Sequence, residues 1–347
     1  MRIATAKETY AADEALFDTA VQRVWFAILL AALALFPFLA DQYWLFLAGL
    51  AAINVISVTG LNILTGYTGL VSLGQAAFMG VGAYTVAVME ARLGTPVLLN
   101  LLGGGLVAAG VGMVFGLPSL RVKGLYLAIA TIAASFILHF VFANWTSVTR
   151  GVSGINVPPA AFFGMALDTP FKLYWLIMPI TVLLLLGAAN LFRTRVGRAF
   201  IAVRDRDISA EVLGIPLLRT KLTSFALASF YAGVAGGLWA YFFRVVTPES
   251  FPLLLSIFLL AAIIVGGMGT ILGGILGAVF MTLVPEFLKL LVGFVTPVWP
   301  DAAVHLSPVR TVVFGAMIVG FLIFEPQGLA EMWRRTRRFF HLWPFKT

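Results

Sequence analysis

Cysteine is absent from the 347 residues, histidine occurs three times, and charged side chains make up only 11% of the chain. The first absence removes disulfides and thiolate metal sites. The scarcity of histidine removes much acid–base and metal chemistry: His139, His305 and His341 stand far apart, and none has the partner spacing of an H-E-x-x-H helix. No G-x-S-x-G elbow and no G-x-x-x-x-G-K-[ST] phosphate loop occurs, so this chain encodes neither that hydrolase nucleophile nor that ATP site. Strand-length alternation of apolar and polar residues is also missing from runs such as FAILLAALALF (26 to 36) and LYWLIMPITVLLLL (173 to 186), which argues against a membrane barrel.

What the chain has is hydrocarbon: 61% of its residues are hydrophobic and 34 are glycine. Apolar runs of about twenty residues recur from end to end, each long enough at about 1.5 Å per residue to cross about 30 Å of lipid. Backbone groups in lipid must pair within their own segment, so these runs are expected to be helices. The pattern predicts an all-α polytopic membrane protein of about ten transmembrane helices, at 24 to 40, 44 to 64, 71 to 90, 97 to 116, 124 to 143, 172 to 192, 222 to 243, 253 to 267, 270 to 291 and 308 to 324. The membrane domain then covers 24 to 324, between a tail of residues 1 to 23 and a basic, aromatic tail of residues 325 to 347. Asp13, Glu14 and Asp18 make the first tail unlike the cationic head of a secretory signal, and it reads as a retained cytoplasmic segment.

Charge placement orients the spans. With the N terminus inside, seventeen of the 23 basic residues fall on inner segments: Arg2, Lys7 and Arg23, then Arg121 and Lys123, the seven from Arg193 to Lys221, and Arg334, Arg335, Arg337, Arg338 and Lys346. Arg92, Arg150, Lys172, Arg244, Lys289 and Arg310 are left near the outer ends. This asymmetry follows the positive-inside rule and puts both termini in the cytoplasm, and it accounts for the net +8 without nucleic acid.

Glycine concentrates within the spans. Gly112 with Gly116, Gly233 with Gly237, and Gly269 with Gly273 and Gly277 have the spacing that lets membrane helices pack backbone to backbone. Residues 66 to 75 and 266 to 274 are so interrupted that broken or re-entrant helices are expected there, and such breaks line cavities in transporters. The two stretches occupy comparable places about 200 residues apart, which leaves an inverted repeat of five spans per half open.

Polar residues at membrane depth face a bundle interior or an aqueous path. Asn54, Asn62, Thr65, Gln75, Thr131, Ser135 and Glu286 are the candidates for a translocation path, with His139 and Lys289 beside them. Glu286 and Lys289, three apart on one helical face, read either as an ion pair or as path lining. His139 reads either as an interhelical hydrogen-bonding residue or as a proton relay.

Residues 193 to 221 form a dense polar segment between apolar spans. Asp205 or Asp207 is placed to cap a short helix, and Gly214 with Pro216 to stop it. Ile208, Val212 and Leu213 share one side, ringed by Arg204, Asp205, Arg206, Asp207 and Glu211. The segment reads either as an amphipathic helix on anionic headgroups or as a lever seated in a groove of a cytoplasmic partner, with an Arg204–Glu211 pair holding it.

Several separated motifs, in order, resemble one family. NILTGYTGLVSLGQAAFMGVGAYTVAVM (62 to 89), GLYLAIATIAASFI (124 to 137), TRGVSGI (149 to 155), VGRAFIAVRDRDISAEVLGI (196 to 215), GGMGTILGGILGAV (266 to 279) and FEPQGLAEMW (324 to 333) are similar to the permeases of branched-chain amino-acid ABC importers, of the LivM-like kind. The resemblance implies no enzyme but a transport subunit working by alternating access. It implies a second, LivH-like permease, two ATPase subunits that carry the ATP and Mg, and a periplasmic solute-binding protein, in a bacterial inner membrane. No cofactor or metal is expected on this chain. By position, Gly197, Arg198, Ala199, Arg204, Ala210, Glu211 and Gly214 match the family's ATPase-coupling element, while Asp205, Arg206 and Asp207 fall where the family varies. Related permeases serve urea, amides or aromatic acids, so the cargo range stays open. An ion-gradient-driven carrier would need mid-membrane carboxylates, for which Glu286 is the main candidate, and a membrane enzyme would need a clustered polar site that is not seen. The C-terminal WRRTRRFFHLWPF (333 to 345) reads as an interfacial anchor, with Trp333, Phe339, Phe340 and Trp343 at headgroup level and arginines on lipid phosphate.

Overall fold

The structure, a computed structural model, describes residues 20–119, 124–162, 165–295 and 327–342, with single positions between 312 and 325. The expected span at 308 to 324 therefore lies largely outside the described residues, as do most of the first tail, Arg121, Lys123, His305 and Trp343.

Helices stand at the other nine expected positions. They are α1 (Ala20–Leu39), α2 (Gln42–Asn62), α3 (Gln75–Leu93), α4 (Val97–Ser119) and α5 (Leu125–Asn144), then, after the one-turn α6 (Thr146–Thr149), α7 (Pro170–Leu191). Two short helices follow, α8 (Arg195–Asp205) and α9 (Asp207–Val212), before α10 (Leu217–Phe243), α11 (Leu253–Gly266), α12 (Ile271–Val295) and α13 (Gly328–Leu342). Among the described residues seven helical stretches are long and apolar enough to cross a bilayer: Gln42–Tyr67, Val97–Pro118, Tyr126–Asn144, Pro170–Leu191, Leu217–Phe243, Pro248–Gly266 and Ile271–Lys289. Four two-residue strands lie in the connections, β1 (Ile155–Asn156), β2 (Ala161–Phe162), β3 (Met165–Ala166) and β4 (Val245–Val246), pairing antiparallel as β1 with β4 and β2 with β3.

The centre of the bundle is α10, wrapped by α2, α3 and α4, and glycine permits the close approach. A Cβ on Gly82 would lie 2.1 Å from the carbonyl oxygen of Gly233, one on Gly236 would lie 1.9 Å from that of Met79, and one on Gly233 would lie 2.6 Å from that of Gly104. In lipid no hydrophobic force drives helix against helix, so this backbone-level contact supplies the dispersion energy of association. The same device joins α11 to α12, where a Cβ on Gly277 would meet the Ala262 carbonyl oxygen at 1.9 Å. The expected close approach of helices at Gly112, Gly233 and Gly277 is seen: their partners are Ser229, Gly104 with Ala108, and Ala262 with Gly266, each on another helix. Side chains on the outer surface, such as Leu106, Val114, Tyr126, Phe136 and Phe140, remain exposed and suit a hydrocarbon surround.

Both expected interruptions exist. After α2 the chain makes a π-helical turn (Ile63–Tyr67), then runs without regular structure to Gly74; between α11 and α12 it breaks over Gly267–Thr270. Residues 193 to 221 differ from the single short helix expected. Thr194 caps α8 by accepting from the Gly197 amide at 3.4 Å, and the extended backbone of Arg206 (φ −157°, ψ 104°) separates α8 from α9. Gly214, at φ +85°, then ends α9 as expected, its amide bonding the Glu211 carbonyl at 2.9 Å.

Substituting Gly82→Leu places a side chain in backbone already at contact distance and is expected to cost ~1–3 kcal/mol or more, seen as loss of folded protein in a detergent thermal-stability assay. Gly110→Ala, where an added Cβ meets nothing within 4 Å, should be neutral or stabilise by up to ~1 kcal/mol in the same assay.

Candidate functional site

The candidate path residues gather around the first break. A non-helical backbone within a membrane bundle has amides and carbonyls that only protein can satisfy, and hydroxyls from neighbouring helices do this. The Leu73 amide donates to Thr131 Oγ1 at 2.9 Å, and Ser135 Oγ donates to the Leu73 carbonyl at 3.3 Å, so α5 holds the segment from one side. The Ala76 amide, at the start of α3, donates to Ser256 Oγ of α11 at 2.9 Å. Gln75 Nε2 donates to the Ser57 carbonyl of α2 at 2.9 Å, and Thr65 Oγ1 donates to the Leu70 carbonyl at 3.1 Å. Asn54 Nδ2 donates to Thr282 Oγ1 at 3.0 Å and ties α2 to α12. All of these side chains are buried.

Asn62 does more than satisfy its own segment. Its Oδ1 accepts from the Gly269 amide at 2.9 Å and its Nδ2 donates to the Thr270 carbonyl at 2.8 Å, so one side chain joins the two breaks. Gly66 makes this geometry available, since a Cβ there would sit 1.9 Å from Asn62 Oδ1. Tyr67 stacks on Phe192, at the end of α7, with ring centroids 3.4 Å apart and planes 12° from parallel.

The polar segment packs against this junction. Phe200 and Val203 of α8 are buried, and a Cβ on Gly197 would meet the Leu191 carbonyl oxygen at 2.4 Å, which fixes α8 against the end of α7. Arg198 Nη1 donates to the Arg193 carbonyl at 2.9 Å. Arg204 Nη1 donates to the Gly66 carbonyl at 3.1 Å, and its Nε donates to Asp205 at 3.2 Å. The expected Arg204–Glu211 pair is therefore replaced, because Arg204 turns inward from the end of α8 while Glu211 stands on the separate helix α9. Ala210 is buried, and Asp207 pairs with Lys221 of α10 at 3.8 Å, so α9 is braced to the bundle. Its outward side carries Ile208, Val212 and Leu213, which are 70%, 82% and 80% exposed.

Other expectations fall elsewhere. Glu286 accepts from Lys289 Nζ at 2.7 Å and from the Tyr43 hydroxyl, away from the break; the ion-pair reading holds, and a proton-carrying carboxylate at mid-membrane is not what this geometry presents. His139 is exposed on α5 and makes no hydrogen bond among the described residues, so neither an interhelical bond nor a relay is seen. No group of three histidine, aspartate or glutamate side chains suited to a metal occurs among the described residues.

One buried network escaped the sequence reading. Glu90 Oε2 accepts from Tyr241 Oη at 2.6 Å and Asn100 Nδ2 at 2.7 Å, linking α3, α10 and α4. The signal was the turn GTP (94 to 96), which folds α4 back on α3 and so brings polar residues flanking it together. On the same connection side, the Lys172 ammonium hydrogen-bonds Asp168 and holds its carboxyl below the usual carboxylate range.

The bundle has glycine-packed helices, two breaks and a protruding helical pair, and a family model says what kind of protein it is. The model for the permease component of the branched-chain amino acid transport system matches residues 43–322. The chain belongs to that family. It is 31% identical to the high-affinity branched-chain amino acid transport system permease protein LivM of Escherichia coli (strain K12), over 91% of this chain and 77% of that protein. It is 28% identical to the probable branched-chain amino acid transport permease protein LivH of Methanocaldococcus jannaschii, over 64% of this chain and 73% of that one. It is also 31% identical to an autoinducer 2 import system permease protein, LsrC of Klebsiella pneumoniae, over 49% of each. No solved structure matches it. Within the permease family this chain is a transport subunit of LivM-like kind, and the motifs around Asn62, Arg204 and Gly269 are those that meet at the junction.

Thr131→Val removes the acceptor for the Leu73 amide and should lower stability by ~1–3 kcal/mol, the cost of an unmet buried donor. Thr131→Ser should restore it. Thermal unfolding of the purified protein checks both, and equal stability of all three forms would show that the Leu73 amide is satisfied in another way.

Proposed function

We propose that this permease is the LivM-type subunit of an ATP-driven importer of branched-chain or related amino acids, forming the pathway by alternating access with a LivH-type partner. The observation that carries the reading is the helical pair α8–α9. It is braced to α7 and α10, touches the helix breaks through Arg204, and projects Ile208, Val212 and Leu213 outward. An exposed apolar tip ringed by charge suits a groove on an ATPase subunit, and a short rigid element transmits a rigid-body displacement. In this reading Gly197, Arg198, Ala199, Ala210, Glu211 and Gly214 shape the lever, ATP and Mg are held by two ATPase subunits, and a periplasmic binding protein delivers the cargo. The sites around Asn54, Thr65, Gln75, Thr131 and Ser135 border the closed pathway. Ten spans in an inner membrane, both termini cytoplasmic and two inverted halves complete the proposal; the helix–break–helix order of α2–α3 and of α11–α12 supports it.

Uptake of radiolabelled leucine, isoleucine, valine, urea and amides into vesicles holding the full subunit set tests this. Aliphatic amino-acid uptake should require ATP. Ile208→Asp with Val212→Asp should reduce it by about tenfold or more, with ATPase subunits lost from the purified complex, since charged groups at the core of an interface cost a few kcal/mol. Uptake that persists without ATP, or that ignores both substitutions, would sink the reading.

α13 supports the interfacial anchor. Trp333 and Phe339 are exposed; Arg334 and Arg335 pair with Glu331 and Glu325, while Arg337 and Arg338 are exposed. Replacing Arg337 and Arg338 with glutamine should weaken retention of α13 at anionic vesicles, by ~1 kcal/mol per arginine, and leave cargo selectivity unchanged. A changed cargo preference would count against the anchor.

A further inference from the structure

At the junction, three segments distant in sequence touch at a few atoms. Asn62 holds Gly269 and Thr270 of the second break. The breaks press so closely that a Cβ on Gly66 would lie 2.4 Å from the Gly269 amide nitrogen. Arg204 enters from α8: its Nη1 reaches the Gly66 carbonyl at 3.1 Å, and its stem lies over Gly69, whose Cβ would be 3.1 Å from Arg204 Cγ. A Cβ on Gly269 would be 2.8 Å from the same guanidinium nitrogen.

We propose that Asn62 and Arg204 form a clasp that keeps the two helix breaks shut, and that Arg204 is a positioning residue acting inward on the breaks. Gly66 closes the helical run begun by α2, where carbonyls lack intrahelical partners and carry the negative end of the helix dipole. A guanidinium is the matching donor. Withdrawing it strips Gly66 of that donor and removes the wedge beside Gly269, leaving the seam to Asn62 and to the Tyr67 hydroxyl, which meets the Ile271 backbone. The lever and the seam are thus one mechanical unit. Displacement of the α9 tip reaches Arg204 through Arg206, which both helices share: its amide bonds the Ala202 carbonyl of α8 at 3.1 Å and its carbonyl accepts from the Ala210 amide of α9 at 3.0 Å. The source of the displacement rests on the importer reading, whereas the clasp belongs to this chain alone.

The absence of cysteine makes the test direct. A single thiol, Thr65→Cys, sits beside the seam at a position 6% exposed, and its maleimide labelling in the assembled transporter reports opening. Without ATP, labelling should be slow. Adding Arg204→Gln should raise it by about tenfold, the factor of one charge-assisted hydrogen bond, and lower uptake per ATP hydrolysed by a similar factor while the ATPase subunits still co-purify. Arg204→Lys should recover most of both. Asn62→Ala, which leaves α8 untouched, should raise labelling as well and carries the test should the Arg204→Gln permease itself not fold. Labelling at the parent rate in Arg204→Gln and Asn62→Ala would overturn the clasp. Loss of the ATPase subunits from Arg204→Gln would also overturn it, by showing that Arg204 faces outward. Raised labelling in both variants, in a complex that shows no ATP-dependent uptake, would support the clasp and defeat the importer reading.

Discussion

A helix interrupted inside a membrane bundle leaves amides and carbonyls that lipid does not satisfy, and the arrangement of this protein depends on where those groups find partners. Leu73, Ala76, Gly66, Gly269 and Thr270 present such groups, and each is met by a side chain of another segment: Thr131 and Ser135 of α5, Ser256 of α11, Arg204 of α8 and Asn62 of α2. Each bond fixes the depth and rotation of the helix that supplies it. Many of the polar residues in an otherwise apolar chain thus set the geometry around the breaks, while others, such as Asn54 with Thr282 and Glu90 with Asn100 and Tyr241, tie helices together elsewhere.

Glycine sets the second constraint. Around α10 the helices meet at backbone distance, so the central group of α2, α3, α4 and α10 behaves as a stiff block that separates only by losing many small dispersion contacts at once. At the breaks the backbones also come close, Gly66 against Gly269, but over a few residues, and the three segments are joined there by a small number of hydrogen bonds. Motion is expected where few interactions must be exchanged, and the junction has that character while the glycine-packed block does not.

Nine of the ten expected helices, both breaks, the glycine faces and the stop at Gly214 are legible in the sequence because each depends on local composition: apolar length, small-residue spacing, and a residue tolerant of positive φ. The polar candidates Asn62, Thr65, Gln75, Thr131 and Ser135 were legible as a set for the same reason, since unpaired polar groups stand out in hydrocarbon. Their partners were not. That Asn62 reaches Gly269 follows from contacts more than 200 residues apart in the chain, and neither periodicity nor spacing encodes such a register. Arg204 has other partners than the sequence suggests. A helix wheel drawn through 197 to 214 places it near Glu211, whereas the extended backbone at Arg206 breaks that helix and turns the guanidinium inward. Glu286 drew attention as a mid-membrane carboxylate, yet Lys289 one turn later on the same helix neutralises it, while the more deeply connected Glu90 passed unnoticed at the end of its span.

Under the importer reading, the placement of Arg204 connects these constraints to transport. A lever that ended on a lipid-facing helix would move one helix against hydrocarbon and leave the bundle interior unchanged. This one ends on the single carbonyl where the π turn after α2 meets the second break, beside a glycine pair that admits no side chain. A small displacement there breaks a charge-assisted hydrogen bond at the edge of the bundle, where Arg204 is itself part-exposed, and frees the two breaks beneath it. The glycines at 66, 69, 266, 267 and 269 of this chain then have a common physical reason: they let two broken helices and one arginine occupy the same few ångströms.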